Sequence, residues 1–527
     1  MIKKYLIEIS GIFLLLPVII FFLGFLKIYI GLPMTALAIF IYYRLIKNKD
    51  KEIDSNEQKT NKKTIIYYSI VSIIILLWLG FSGVGNFSYQ NEDFYVRNAI
   101  FRDLVNYDWP VKYNIDNTDT AVEETEYETD DVLVDTTDNL LEGENTVGFV
   151  YYCAYWLPSA LFGKIFGLAA GNVFIYIWSF LILLLIVALI NKKLKKNSIW
   201  TIIVLIIFSG LDILLLNDKL LPNEMITNLI AENHIEWGGM CLQYSSNTTL
   251  LYWVFNQCIM TWLIVSMIIQ IKKPETILFI SCLVFCYSPF ATFGMIPIAG
   301  FLAIKNIISE QKEKSLKNKI ISILLRIIKV LVSCEFVFLL GILIIFGTYY
   351  MAADNPLTFK GWNWVTNDVS FMEFLLPYLR FILVDFLIYV FLLFKHYKKD
   401  GLFYVIVLEL LLIPLYRITP ANDFCMRSSI APLFVLCIFI IEYLSNGDKI
   451  KDKVIITCML LIGFVTPMHE IYRSVHHTFT DSRETYIRDD LVYSIGKPTS
   501  DYGKYVAEAQ FYAKNYKEKF FYKYLAK

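Results

Sequence analysis

Apolar positions run through this chain in long blocks, and short lysine-rich stretches separate them. Blocks that approach or exceed roughly 20 residues match a helix crossing a bilayer. A membrane barrel would show short alternating strands instead. The pattern predicts thirteen spans, at about 9–26, 28–46, 64–83, 171–190, 199–216, 250–271, 276–288, 290–304, 320–349, 371–394, 402–416, 428–445 and 454–470. The pair 276–304 is short and interrupted at Ser288-Pro289-Phe290, as in a hairpin that enters only part of the bilayer. The expected fold is an all-α polytopic membrane protein of about 13 transmembrane helices with a long first outer loop.

Lysine sets the orientation. With the N-terminus inside, the inner loops 47–63, 191–198, 272–275, 305–319, 395–401 and 446–453 hold 23 of the 48 basic residues. That bias follows the positive-inside rule and places the C-terminus outside, in the cell membrane. The alternation holds only if the apolar, aromatic stretch 148–168 does not cross; Tyr151, Tyr152, Tyr155 and Trp156 suit a place flat on the outer interface. The first outer loop then covers 84–170. Its insertion 116–144 carries twelve acidic and no basic residues, the pattern of a solvated segment; its carboxylates lack the spacing of a calcium loop. Residues 1–63 form an extra span pair and linker, 64–470 the transmembrane core, and 471–527 a short outer tail. The start of the chain (Lys3, Lys4, then an apolar run) lacks a small-residue cleavage site and is expected to be a retained helix.

Composition agrees: 57% of the 527 residues are hydrophobic. The zero net charge gives no reason to expect a nucleic-acid partner. Nine cysteines show no paired metal-ligand spacing. His469-Glu470 has Arg473 where a zinc helix needs its second histidine. There is no phosphate-binding glycine loop and no nucleophile elbow. No inner loop is long enough to hold a nucleotide-binding domain.

Hydrocarbon penalises charge, so polar residues at span ends are informative, and they collect on the outer side. Glu92 and Asp93 open the first outer loop, followed by Arg97, Arg102 and Trp109. Asp212 lies near the end of its span; His234, Glu236 and Trp237 occupy the next outer loop. Asn422, Asp423 and Arg427 lie on a turn too short to leave headgroup depth. Bland readings compete. Asn256 and Gln257 fit hydrogen bonds between helices. Asp423 and Arg427, four apart, fit an ion pair at a helix start capped by Asn422 or Asp423. Glu335, Asp385 and Glu409 within spans are expected to pair with Arg326, Lys329 or Arg380. The functional reading of Arg427 is recognition of a phosphate oxygen.

Three features resemble the GT-C superfamily of polytopic membrane glycosyltransferases. They are the acidic pair Glu92-Asp93 after a span, the segment Tyr155-Trp156-Leu157-Pro158-Ser159-Ala160-Leu161-Phe162-Gly163, and the many-span layout. The likeness covers residues 64–305 loosely. The span pair before residue 64 is extra, and Leu157-Pro158 stands where that superfamily has two prolines. The segment Asn422-Asp423-Phe424-Cys425-Met426-Arg427 is also similar to a branch of bacterial membrane proteins. The resemblance implies a polyprenyl-phosphate-linked sugar donor, a glycan or lipid acceptor, and catalysis at the outer face. Asp93 would be the general base, with Glu92 sharing the role. Arg427, Asn422 and Arg97 would hold the donor phosphate, and Asp212, His234, Glu236 and Trp109 would line the acceptor pocket. No cofactor is implied with certainty; some members need a divalent metal. Two other classes fit the same pattern: an oligosaccharide polymerase or ligase acting on undecaprenyl-pyrophosphate glycans, which would favour a pair of outer arginines, and a lipid or polysaccharide transporter or flippase.

Overall fold

The computed structural model describes residues 5–47, 62–115, 146–214, 235–236, 239–311, 315–354, 359–488, 493–497, 508 and 510–527. The acidic insertion, His234 and Trp237 lie outside the described residues. The chain is mostly helical. Among the described residues, seven helices are long and apolar enough to cross a membrane: Leu6–Phe25, Ile28–Lys47, Lys62–Gly80, Leu168–Leu194, Asn247–Ile268, Pro289–Glu310 and Phe371–Tyr397. Two bent pairs, Leu316–Leu331 with Cys334–Tyr350 (53°) and Ile450–Gly463 with Val465–Thr480 (41°), bring the number to nine if each is one span. The other four expected spans fall on shorter apolar helices, Ile199–Leu214, Pro274–Tyr287, Gly401–Leu415 and Ile430–Asn446. This architecture is compatible with an all-α membrane protein.

Helix Asn247–Ile268 is the hub. Its apolar window is 94% buried, and helices 168–194, 430–446 and 465–480 pack around it. Ser246 caps its start by accepting from the Thr249 amide at 3.0 Å, which satisfies one of the amides a helix leaves open. Val254 departs from helical geometry (φ −137°, ψ 41°), so the hub is kinked near its first third.

The segment 148–168 becomes a ten-residue helix, Leu157–Phe166, too short to span. It turns at Gly167 (φ +92°) and folds back on Leu168–Leu194. A Cβ on Gly163 would lie 3.6 Å from the Gly171 Cα. Small residues let these two backbones approach, as between membrane helices generally.

A few short strands supplement the helices. β1 (Lys112–Asn114) pairs with β2 (Thr146–Phe149), and β3 (Lys360–Trp362) pairs with β4 (Tyr416–Ile418), both antiparallel. β5 (Tyr512–Ala513) extends the first sheet, with Gly148 opposite Ala513. The tail thus returns to the first loop. It also meets the N-terminal hairpin, where Lys527 N donates to Phe25 O at 3.0 Å.

The lysine-rich loops touch one another at one end of the array. Lys193 pairs with Glu442 at 2.6 Å, Lys305 with Asp400 at 3.7 Å, and His396 with Asp452 at 3.3 Å. Elsewhere Asn91 donates to Tyr252 O, Asn422 to Cys241 O and Arg427 to the Tyr152 hydroxyl, each at 2.9 Å, which links the segments 81–106, 150–157, 239–247 and 416–428 through the hub helix and one another.

The expected pairing of intramembrane acids is corrected. Arg326 bonds Glu275 and, at 2.8 Å, Glu310. Glu335 lies 3.7 Å from Arg44. Asp385 and Glu409 are buried, and among the described residues neither carboxylate accepts a hydrogen bond. Lys329 and Arg380 are exposed; Arg380, five residues before Asp385, is on another side of its helix.

Candidate functional site

Asp93 precedes helix Phe94–Asn106. Its Oδ2 meets Arg97 Nη2 at 2.5 Å, one turn along. Arg97 is buried over the rings of Phe94 (5.4 Å) and Phe255 (5.8 Å), while the Asp93 side chain remains 45% exposed. Glu92 beside it is exposed.

Arg427 approaches from the short helix Asp423–Ser428. It pairs with Asp423 at 2.9 Å and donates from Nη1 to the Tyr152 hydroxyl at 2.9 Å. Tyr152 is also 3.5 Å from Gln257 Nε2, and Gln257 Oε1 accepts from Ser288 at 2.8 Å. The ring of Tyr152 lies 3.8 Å from that of Tyr151. Burial alone would pull the Arg427 pKa down. It stands above its ordinary value because Asp423, then Tyr152, Tyr151 and Asp93, favour the cation. Both Arg427 and Arg97 act electrostatically on Tyr151. Asp93, Arg97, Arg427 and the two tyrosines therefore form one neighbourhood beside the kinked hub helix.

Each arginine keeps a donor in reserve. Arg97 Nη1 and Arg427 Nε are buried and have no hydrogen-bond partner among the described residues. An unsatisfied buried N–H is costly, and a guanidinium with a spare fork position is suited to an oxyanion. Asp93 is the carboxylate in the group most open to solvent.

Other expected site residues are placed elsewhere. Asn422 adopts a left-handed backbone (φ 55°), and its amide donates to Cys241 O at 2.9 Å, so it does not cap the helix with its side chain. Trp109 packs against Phe25 at 5.8 Å and donates to Leu104 O at 2.9 Å. Glu236 is buried and accepts from Ser246 N (2.8 Å) and Thr249 Oγ1 (2.6 Å), closing the start of the hub helix. Burial, then the charge of Asp212, push the Glu236 carboxyl up to about 8. Asp212 accepts from Ser209 and Thr466 and faces Asp385.

Sequence reasoning read Tyr151 and Tyr152 only as interface aromatics. It weighs Glu470 and Arg473 only against a zinc motif; they pair at 2.5 Å in the interior, with Trp253 Nε1 donating to Glu470 at 2.9 Å. Two opposite charges three apart at the end of an apolar run were the available signal. Among the described residues, no group of three metal-ligating side chains is assembled. No protein-family model, curated protein or solved structure matches the chain, so the functional reading rests on the chemistry of the site.

Proposed function

We propose that this chain is a membrane glycosyltransferase that moves a sugar from a polyprenyl-phosphate donor to a glycan or lipid acceptor at the outer face of the cell membrane. The N-terminus is cytoplasmic and the C-terminus outside. One observation carries the reading: the buried Arg97 and the part-buried Arg427 each keep one unused buried donor, Arg97 adjoins a solvent-reachable carboxylate at Asp93, and that carboxylate also acts on Arg427. A donor phosphate would take the spare positions of Arg427 and Arg97. By competing for Arg97 it would release Asp93, which then accepts the proton of an acceptor hydroxyl as the sugar leaves its carrier.

Asp93→Asn tests this. Loss of the glycan product with normal expression supports the role; full product from the variant removes Asp93 from catalysis. Thiol labelling of a cysteine placed at residue 93 tests the topology, and labelling only from the cytosolic side would overturn it.

A second reading is favoured by the same pair of arginines. A polymerase or ligase acting on pyrophosphate-linked glycans favours a pair of outer arginines, and Arg97 and Arg427 both act on Tyr151. Donors carrying one phosphate or two, offered to the purified protein, separate the readings.

A further inference from the structure

A second polar centre lies apart from Asp93. Helix Ile199–Ile207 ends early, and the chain passes through Ser209, Gly210 and Leu211 into a short turn at Asp212. Opposite, helix 371–397 widens into a π-turn at Leu383–Leu387, with Asp385 at its middle. The two irregular segments are joined by Leu211 N to Val384 O at 3.2 Å and by the Tyr389 hydroxyl to Ser209 O at 3.1 Å. Asp385 lies against Gly210, where a Cβ would come 2.9 Å from the Asp385 Cα, so only glycine fits.

Asp212 and Asp385 are 2% and 1% exposed. Their carboxyl groups lie close enough to act on one another. Ser209 and Thr466 both donate to Asp212 Oδ2 at 3.3 Å. Asp385 receives no such help: among the described residues, neither of its oxygens has a hydrogen-bond donor. Among the described residues, the other titratable groups that act on the pair add no positive charge. They are Glu236 from the loop before the hub helix, the hydroxyls of Tyr389 and Tyr244, and Cys425, with Glu409 beyond Tyr244. On helix 465–480, Glu470 is committed to Arg473. Two carboxylates in contact in a dry interior cannot both stay charged without a cation. A single shared proton removes one charge and supplies the hydrogen that Asp385 lacks.

We propose that Asp212 and Asp385 form a buried carboxyl–carboxylate pair that binds one proton and fastens the broken helix 199–207 to the π-turn of helix 371–397. The pair is independent of the Asp93 site, so its test does not depend on the proposed transferase activity. The purified full-length protein is prepared with and without carbon-13 in its aspartate carboxyl groups, and infrared spectra are recorded at pH 8. Asp103, which burial pushes only to about 6, is ionised there. The expected result is a protonated-carboxyl band that shifts with the aspartate label and disappears in both D212N and D385N. Absence of a label-sensitive band in the wild-type protein overturns the proposal, whether or not the variants fold. A band that survives in both variants also overturns it. A band that sodium chloride removes and choline chloride spares assigns the pair to a metal cation, and the proton site falls.

Discussion

The Arg97 guanidinium holds the Asp93 carboxylate at 2.5 Å, one turn into the helix that follows. The carboxylate is half-exposed while the guanidinium is buried, and an amide oxygen at this position can still accept from the guanidinium, so the buried donor keeps a partner. Asp93→Asn should therefore leave the melting temperature nearly unchanged while glycan product is lost. Product assay and thermal melting on the same preparation check both halves; a large fall in stability would make the residue structural.

Arg427 is part-buried between Asp423 and Tyr152. Arg427→Ala should weaken use of the lipid-phosphate donor by about tenfold or more, equivalent to about 1.4 kcal/mol. Arg427→Lys should not restore it, because an ammonium lacks the planar fork. Titration with a short-chain donor analogue measures both, and unchanged donor affinity in the alanine variant would discard the phosphate role.

Glu236 is raised to about 8 in the folded protein by burial and the Asp212 charge, whereas an unfolded glutamate titrates near about 4.3. Over that interval the folded state keeps a proton that the unfolded chain has lost. Stability from this group is full below about 4.3 and declines as the pH rises through about 8. Glu236→Gln should flatten the fall of melting temperature across that window. A slope as steep as wild type would show that other groups govern it.

Asp103 Oδ2 accepts from the Tyr113 hydroxyl and from Ile495 N, both at 2.8 Å. It pins the C-terminal tail to the first loop. Asp103→Ala should cost about 1–3 kcal/mol for the groups left unsatisfied. Limited proteolysis should then cut the tail faster than in wild type, with cleavage mapped by mass spectrometry.

Gly210→Ala places a methyl group against Asp385. Overpacking of this kind costs about 1–3 kcal/mol, so the variant should melt lower. Gly300→Ala is the control, since nothing lies within 4 Å of its added Cβ.

Local spacing was readable in the chain. The four-residue interval of Asp423 and Arg427 announced their ion pair; the same interval separates Asp93 from Arg97, whose pairing the sequence reading did not draw. Long-range relations were not readable. Glu236 closes a helix that starts eleven residues later, and nothing in its neighbourhood distinguishes a cap from a pocket acid. Asp385 looked pairable because Arg380 is near in sequence, but helical rotation carries that side chain away.

By itself, the sequence determined that the chain is helical and apolar, because unbroken hydrophobic blocks of this length bury their backbone groups only as helices. It also determined which loops carry the lysines. Only the tertiary structure decided which polar residues meet. Arg427 reaches Tyr152 across 275 positions, and Asp212 faces Asp385 because a helix ends at Ile207. Encounters of that kind depend on how helices pack and where they break, which hydropathy and local spacing do not encode.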